Sequence, residues 1–580
     1  MILRRRQANN KNTTTFIYSA TERIVPSVTT GFGSNYNNSK SVWDSSTGIG
    51  KIVFDGAVTA IPNSAFVDKT KLTAILEMPS TITTIGEQAF KYTVSYTGFK
   101  TINFNEGLTT IQQRAFLSNR GFTSVKLPNS LRFMDKYVFN TCGNLKSVTF
   151  GEGMRMFRHD GSTSYSGYNV ANGMFAATSL ETVYWNAIDC YDFVQSAFSP
   201  FTTESLGIAN TDHTKNTIKN VYFGDKVKHI PACLFWKCPN ISNTIVIPAS
   251  CERIGDRAFQ ACTGIRTVIV QATTPPLITP ETYEQNPNAA FANSDGKNAV
   301  FRHYTTSWQV MPNLSIYVPA ESVNAYKSDA NWSVYASIIK PIEEVYGGGI
   351  DLGLRTSDGK KIYFADRNVG ADNEYDVGYY FPWGDVVGYQ ALDKSMTTTT
   401  SEFYGYGVFY KSNYKYSDET YTTMKKYNAS DNKTVLDSYD DMAVKHMGGP
   451  WRMMTSEELD MLLDTTKFNI EIIGIDGNVE TPLRMDNLRA GLKFTSKIKG
   501  FEGKYIIFPA AGAGVSEIAN DMHKTVSLWT ATRDSSNVKK ARILYFYPYV
   551  DATTGEVKAS IKNTTSDRFY GRQVRGVRIE

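Results

Sequence analysis

The chain repeats itself, and a short fixed repeat restricts a chain to architectures built by stacking one unit on the next. One version of the unit, "FTSVKLPNSLRFMDKYVFNTC", runs from Phe122 to Cys142. Others read "LKSVTFGEGMRMF", "IKNVYFGDKVKHIPACLFWKC" and "ISNTIVIPASCERIGDRAFQAC". A phenylalanine recurs at Phe66, Phe90, Phe116, Phe139, Phe175, Phe198, Phe235 and Phe259, with neighbours mostly 23 to 26 residues apart. Two gaps widen to 36 and 37 residues, where polar inserts around Arg158–Tyr168 and Thr202–Asn216 are expected to loop out.

Each unit also carries an apolar-x-x-apolar-x-apolar stretch: Phe99-Ile102-Phe104, Phe122-Val125-Leu127, Leu145-Val148-Phe150, Ile218-Val221-Phe223 and Ile265-Val268-Val270. Alternation at period two puts these side chains on one face of a short strand. One repeat cannot bury that face alone, so the units must stack around a continuous core with a parallel sheet along one side. Segments such as "IGEQAF" (Ile85–Phe90), "IPACLF" (Ile230–Phe235) and "IGDRAF" (Ile254–Phe259) resemble the BspA-like leucine-rich repeats abundant in gut bacteria and their phages. "ATTPP" (Ala272–Pro276) and "IYVPAESVNAYKSDANWSVYASII" (Ile316–Ile339) resemble the C-terminal cap of such arrays.

At 580 residues the chain exceeds one ordinary core. Gly347-Gly348-Gly349 is where a flexible boundary is expected, and the repeat disappears beyond it. Residues 350–580 resemble a C-type-lectin-like domain of gut-bacterial and phage surface proteins. The resemblance rests on "IDLGL" (Ile350–Leu354), "RNVGA" (Arg367–Ala371), "VGYYFPWGD" (Val377–Asp385), "DDMAVKHMGGPWRMMTSEELDMLL" (Asp440–Leu463), "IIFPAAG" (Ile506–Gly512), "LWTAT" (Leu528–Thr532) and "GRQVRGVR" (Gly571–Arg578). Thr455-x-x-Glu458 reads as a capping box opening a helix whose Leu459, Leu462 and Leu463 share one face, with Trp451 in the core. The expected fold class is therefore α+β and β-rich, a leucine-rich-repeat solenoid followed by a C-type-lectin-like α+β domain. Its parts are an N-terminal cap or attachment segment at 1–48, the solenoid with its cap at 49–345, and the lectin-like domain at 350–580.

Catalytic and metal chemistry find little footing. Cys142, Cys238 and Cys262 each fall three residues after a repeat phenylalanine, where other repeats hold Lys69, Thr93 and Asn119. That register favours buried structural thiols, since free cysteine packs as a small hydrophobe. A disulfide and a zinc site, the latter suggested by Cys233-x4-Cys238 with Cys251 and Cys262, are the alternatives. The six histidines form no short metal-ligand spacing, and no nucleophile elbow or phosphate-binding loop is present. Asp440-Asp441 is an acid pair just before a helix, expected to be solvated or capping. The formylglycine-generating relatives of the C-terminal fold work through cysteines, yet the last cysteine here is Cys262. The Glu-Pro-Asn, Gln-Pro-Asp and Trp-Asn-Asp tripeptides of calcium-dependent lectins are also missing from Ile350 to Glu580. No enzyme, cofactor or metal is expected.

A net charge of +5, with Arg4-Arg5-Arg6 the only tight basic run, argues against a nucleic-acid partner. No apolar run is long enough to span a bilayer. The polar residues after Arg6 do not resemble a secretory leader. The expectation is therefore a phage virion adhesin, of tail-fibre or head-fibre type, assembled in the host cytoplasm with other virion proteins. A bacterial cell-surface adhesin or ligand-capture protein is the alternative. The expected partner is a bacterial surface glycan or protein, and a homo-oligomer is expected. The lectin-like resemblance places ligand contacts after the Trp-Ser/Thr motif, which here implies Arg533, Asn537, Lys539, Tyr545, Tyr547, Arg568 and Tyr570. Tyrosine and arginine are the types enriched at binding hot spots.

Overall fold

The computed structural model describes residues 12–93, 99–158, 173–193, 200–201, 217–279, 295–371, 373–386, 388–389, 391, 398–403, 409–418, 420–448, 450–516 and 518–580. The inserts expected to loop out, and Phe198, lie mostly or wholly outside these residues. The chain forms two compact units, Met1–Ile316 with Glu321–Ile339, and Tyr317–Ala320 with Lys340–Glu580.

The first unit is a stack of coils in which each repeat adds one rung. The strands Ser124–Lys126, Ser147–Phe150, Thr182–Trp185 and Asn220–Phe223 run parallel. Their register places Val125, Val148, Val183 and Val221 side by side, all buried. A second strip was not anticipated. Two- and three-residue strands at Ala60–Ile61, Thr84–Ile85, Thr110–Ile111 and Phe133–Asp135 also pair in parallel, aligning Ile61, Ile85, Ile111 and Met134 inward.

Between the strips the repeat phenylalanines stack ring on ring. Phe66, Phe90, Phe116, Phe139, Phe175, Phe201, Phe235, Phe259 and Phe301 form a continuous ladder, with successive centroids 5.1 to 5.8 Å apart. Phe201 takes the rung between Phe175 and Phe235. The turns carrying Phe66, Phe90, Phe116, Phe139, Phe175, Phe235 and Phe259 each hold two left-handed residues. They fall two before and two after the phenylalanine, as at Ser64 and Asp68, Gln88 and Tyr92, Arg114 and Ser118, and Arg257 and Ala261, with φ between 54° and 64°. Non-glycine residues pay roughly 1–2 kcal/mol for this backbone, so the ring stacking and coil-to-coil hydrogen bonds must hold it. The amides of Ser64, Gln88 and Arg114, for example, each donate to a carbonyl of the next coil.

Both ends of the stack are closed. Thr15–Ala20 lies antiparallel between Ile49–Phe54 and Leu72–Glu77, and Tyr36–Asp44 pairs on the outer side of Ile49–Phe54. Phe16, Phe32 and Phe54 pack with Phe66. Tyr18 lies so close to Gly50 that any side chain there would collide with its ring. At the other end Trp332 and Tyr335 cover Phe301. The Trp332 indole donates to the Pro276 carbonyl at 2.8 Å, and Tyr326 donates to Ala272 at 2.7 Å.

The second unit is built on one mixed sheet, in the order Ile350–Arg355, Lys361–Asn368, Gln573–Ile579, Val526–Arg533, Lys540–Val550, Val557–Asp567. Its early strand Lys361–Asn368 pairs antiparallel with its last, Gln573–Ile579. Gln573–Ile579 then runs parallel to Val526–Arg533. Period two separates two cores. Trp529, Ala531, Ile543 and Val574 face one, with Trp383 and Trp451. Leu528, Leu544, Phe546 and Val577 face the other, with Leu459 and Leu462. The capping box forms, with Thr455 accepting from the Glu458 amide and Glu458 accepting from the Thr455 amide. The glycine run is held inside this unit. Ile342–Gly348 forms a 3-10 helix against Lys361–Asn368, and the Gly348 carbonyl accepts from Arg578 at 2.9 Å.

A candidate ligand-binding face

Lys540–Val550 and Val557–Asp567 form an eleven-residue antiparallel hairpin in unbroken register from Lys540↔Asp567 to Val550↔Val557. Its turn is fixed by Asp551, which accepts from the amides of Thr553 and Thr554 and from Lys558 Nζ. Period two puts Tyr545, Tyr547 and Tyr549 on one face. Their ring centroids are 5.2 and 6.0 Å apart, and Lys562 Nζ lies 5.4 Å from the Tyr547 centroid. The row runs outward from the core. Tyr545 packs against Trp529 and its neighbours, while Tyr549 is 37% exposed. Burial of Tyr545 pushes its hydroxyl pKa above the usual phenol value, with Arg572 acting in the opposite sense.

Of the seven residues implied by the sequence, five reach or approach the surface. Asn537 is exposed in the tight turn after Val526–Arg533, where its side chain accepts from the Lys539 amide. Lys539, Tyr545, Tyr547 and Tyr570 are half-buried. The two arginines correct the expectation. Arg568 is wholly buried, donating to the carbonyls of Tyr427, Val538 and Lys426 and to the Tyr414 hydroxyl, with its guanidinium 4.7 Å from the Trp383 ring. Arg533 is buried too, donating to the carbonyls of Lys433 and Asp534. Both fasten the segment from Tyr414 to Thr434 onto the sheet, so neither presents its charge to a ligand.

Tyr549 and Lys562 belong to this face and were missed, although Tyr545-x-Tyr547-x-Tyr549 carries the period-two signal. Arg572 was also missed. It is 7% exposed, and both Nε and Nη2 donate to Ser566 Oγ, while Nη1 has no partner among the described residues.

The acid pair before the helix divides its work. Asp441 caps Met442–Met447, accepting from Ala443 and Val444 amides and from Met453, and burial pushes its carboxyl up to about 6. Asp440 is buried rather than solvated, accepting from the hydroxyls of Tyr416 and Tyr427 and pairing with Lys426 and Lys415. All six cysteines are buried. Among the described residues, no group of three His, Cys, Asp or Glu side chains is arranged to hold a metal, and no helix is long and apolar enough to cross a membrane.

A BspA type leucine-rich-repeat region matches in six copies, over residues 39–161 and 208–307. No curated protein matches the chain. Among solved structures, a T. pallidum leucine-rich-repeat protein is 16% identical, covering 39% of this chain and 69% of its own, with a TM-score of 0.19. A leucine-rich-repeat protein from Bacteroides ovatus is 16% identical over 47% of this chain and 86% of its own, with a TM-score of 0.16. The pneumococcal vaccine antigen PcpA is 14% identical over 49% and 83%, with a TM-score of 0.19. Such low identities and TM-scores leave the repeats themselves as the ground for assignment. By their matched copies and their stacked coils, residues 39–161 and 208–307 are a BspA-type leucine-rich-repeat region.

Proposed function

We propose that the protein is a non-enzymatic binding protein of the bacterial cell surface, an adhesin or ligand-capture protein that reads a surface glycan or protein through its second unit. The observation that carries this is a repeat region joined to a unit whose long hairpin bears a row of tyrosines running from half-buried Tyr545 and Tyr547 to exposed Tyr549. Tyrosine offers a large contact area at little entropic cost, which suits recognition. The BspA-type repeats are a surface-protein architecture and support the cell-surface placement over assembly into a phage particle.

For the second unit we propose a C-type-lectin-like fold. The support is local: the Trp529 indole donates to the Phe381 carbonyl and the Trp383 indole donates to the Thr530 carbonyl, each at 2.8 Å. Two of the stretches that carry the resemblance, Val377–Asp385 and Leu528–Thr532, thus brace each other across the core.

The test separates the units. Residues 340–580 and residues 1–339 are each offered to bacterial cells, and localisation is read by labelling intact producer cells. Retention of 340–580 on cells, with the full chain labelled at the producer's surface, is the expected result. Binding by the repeats alone would make the solenoid the reader, and recovery of the chain in phage particles would replace the surface placement.

A further inference from the structure

The main sheet of the second unit has two edges, and the chain treats them differently. At one, Ile350–Arg355, the outer side is occupied: Ser496 Oγ donates to the Leu352 carbonyl at 2.9 Å, and Phe501 and Ile498 crowd Gly353. Asp351 also turns back to accept from the Gly353 amide. The other edge is Val557–Asp567. It runs for 11 residues, about twice the usual strand length, without a proline and in register without a bulge. Among the described residues, no hydrogen bond joins a backbone group of Val557–Ser566 to anything outside the hairpin. The helix Ser456–Leu462 meets this strand from its face, where Asn563 donates to Ser456 Oγ and to Asp460, and leaves the edge itself open.

A long, regular, open edge is a template for another strand, and proteins usually blunt one with a proline, a bulge, a short run or a cover. Which strand fits is set by what pairing places opposite. For two copies of this edge paired antiparallel, a two-fold axis perpendicular to the sheet must pass through one residue, because directly opposed side chains share a face. Centred on Lys562, the axis sets the two Lys562 ammoniums against each other; centred on Ser560, it sets Lys558 against Lys562. Centred on Asn563, it puts Asp567 against Ala559 and brings together two amides already bonded to Ser456 and Asp460. Centred on Ile561, it pairs Val557 with Thr565, Lys558 with Thr564, Ala559 with Asn563 and Ser560 with Lys562, and the two Ile561 side chains meet on the axis. No like charges are opposed in that register, and the apolar residue sits at its middle.

We propose that Val557–Asp567 is an interface between two copies of this chain, paired antiparallel about Ile561 into one continuous sheet. This goes beyond the surface-binding reading and gives the expected homo-oligomer a place on the molecule. Tyr545, Tyr547 and Tyr549 share a face with their ladder partners Lys562, Ser560 and Lys558. A two-fold axis perpendicular to the sheet preserves faces, so both tyrosine rows open on the same side. A ligand with repeated units then meets two rows at once, and its second engagement is intramolecular.

Sedimentation equilibrium of the full-length chain reads the association, and Ser560 reads its register. In the paired form each Ser560 stands opposite Lys562 of the second copy, so one substitution acts twice per dimer. Ser560→Lys creates two like-charge pairs and should weaken dimerisation about tenfold, while Ser560→Glu creates two opposite-charge pairs and should strengthen it by about the same factor. Ile561→Cys should link the dimer by a disulfide under mild oxidation. Thr565→Cys, far from its own copy across the axis, should not, and the wild-type chain with its buried cysteines should stay unlinked. Circular dichroism checks each variant; should Ile561→Cys fail to fold, the charge pair at half-buried Ser560 decides the matter. A chain that stays monomeric at every concentration would overturn the proposal and leave the edge to a strand from another protein. A dimer indifferent to both Ser560 variants, or linked equally by Thr565→Cys, would place the interface elsewhere and overturn it as well.

Discussion

Cys142, Cys238 and Cys262 each direct their Sγ at the carbonyl of the preceding rung's phenylalanine: Phe116, Phe201 and Phe235, at 3.3, 3.1 and 3.0 Å. In other coils Asn119 donates to Phe90 from the same position, and Thr93 and Thr178 donate to the phenylalanine of their own coil. In these coils the position three after the ring therefore holds a small or slender donor that fits a dry channel. Cysteine, threonine and asparagine satisfy that, which is why the register of the cysteines was readable without any pairing. Burial drives the thiols of Cys142 and Cys262 up to about 12, so they stay protonated and inert.

In the first unit, His229 is a buried residue whose titration should be felt near neutrality. Burial opposes its charge, but Asp192, with Oδ1 at 2.9 Å from Nε2, and Asp189 outweigh burial and the nearby Arg253, raising its pKa above 6.5. The folded state then holds the proton more tightly than the unfolded state. Its contribution is complete below the unfolded pKa and is lost as pH rises through the folded one. Thermal unfolding of the first unit should shift to lower temperature as pH is raised from about 6 to 8.5. His229→Gln should flatten that slope, and an unchanged slope in the variant would rule out this source.

At the scale of the element, the phenylalanine ladder joins the coils. Phe259 is fully buried between Phe235 and Phe301, with centroids at 5.7 and 5.4 Å. Phe259→Ala should cost about 3–5 kcal/mol, measured by urea denaturation of the first unit; a cost under about 1 kcal/mol would mean the coils close over the gap. The ladder was legible wherever the spacing stayed near the repeat. It failed at Phe201 and Phe301, because inserts between rungs reset the count and "SAFSPF" offers two rings three residues apart. The proposed binding face was half legible. Alternation announces Tyr545 and Tyr547 as one side of a strand, but it cannot tell which arginines face water. Arg568 and Arg533 are satisfied by carbonyls more than a hundred residues away or nearly so, at Lys426, Tyr427 and Lys433, contacts that exist only once the chain has folded.

At the scale of the whole molecule, the composition of Gly347-Gly348-Gly349 suggests a free linker, but its backbone is engaged. Gly348 accepts from Arg578 Nη2, and Gly349, at φ 85°, is so close to Trp451 and Tyr363 that an added side chain would press on both. The preceding turn carries Ile342 and Val345, both buried. A fragment beginning at Lys340 keeps all of this, whereas one beginning at Ile350 leaves the Arg578 donor unmatched and discards the turn. Loss of a hydrogen bond to a charged group costs about 1.5–3 kcal/mol, and removing two apolar side chains adds about 1.5–3 kcal/mol for each that was fully buried against the unit. The 340–580 fragment should therefore unfold cooperatively at a clearly higher urea concentration than the 350–580 fragment, both followed by tryptophan fluorescence. Equal midpoints would show that the turn contributes nothing and that the glycines are the linker their composition suggests.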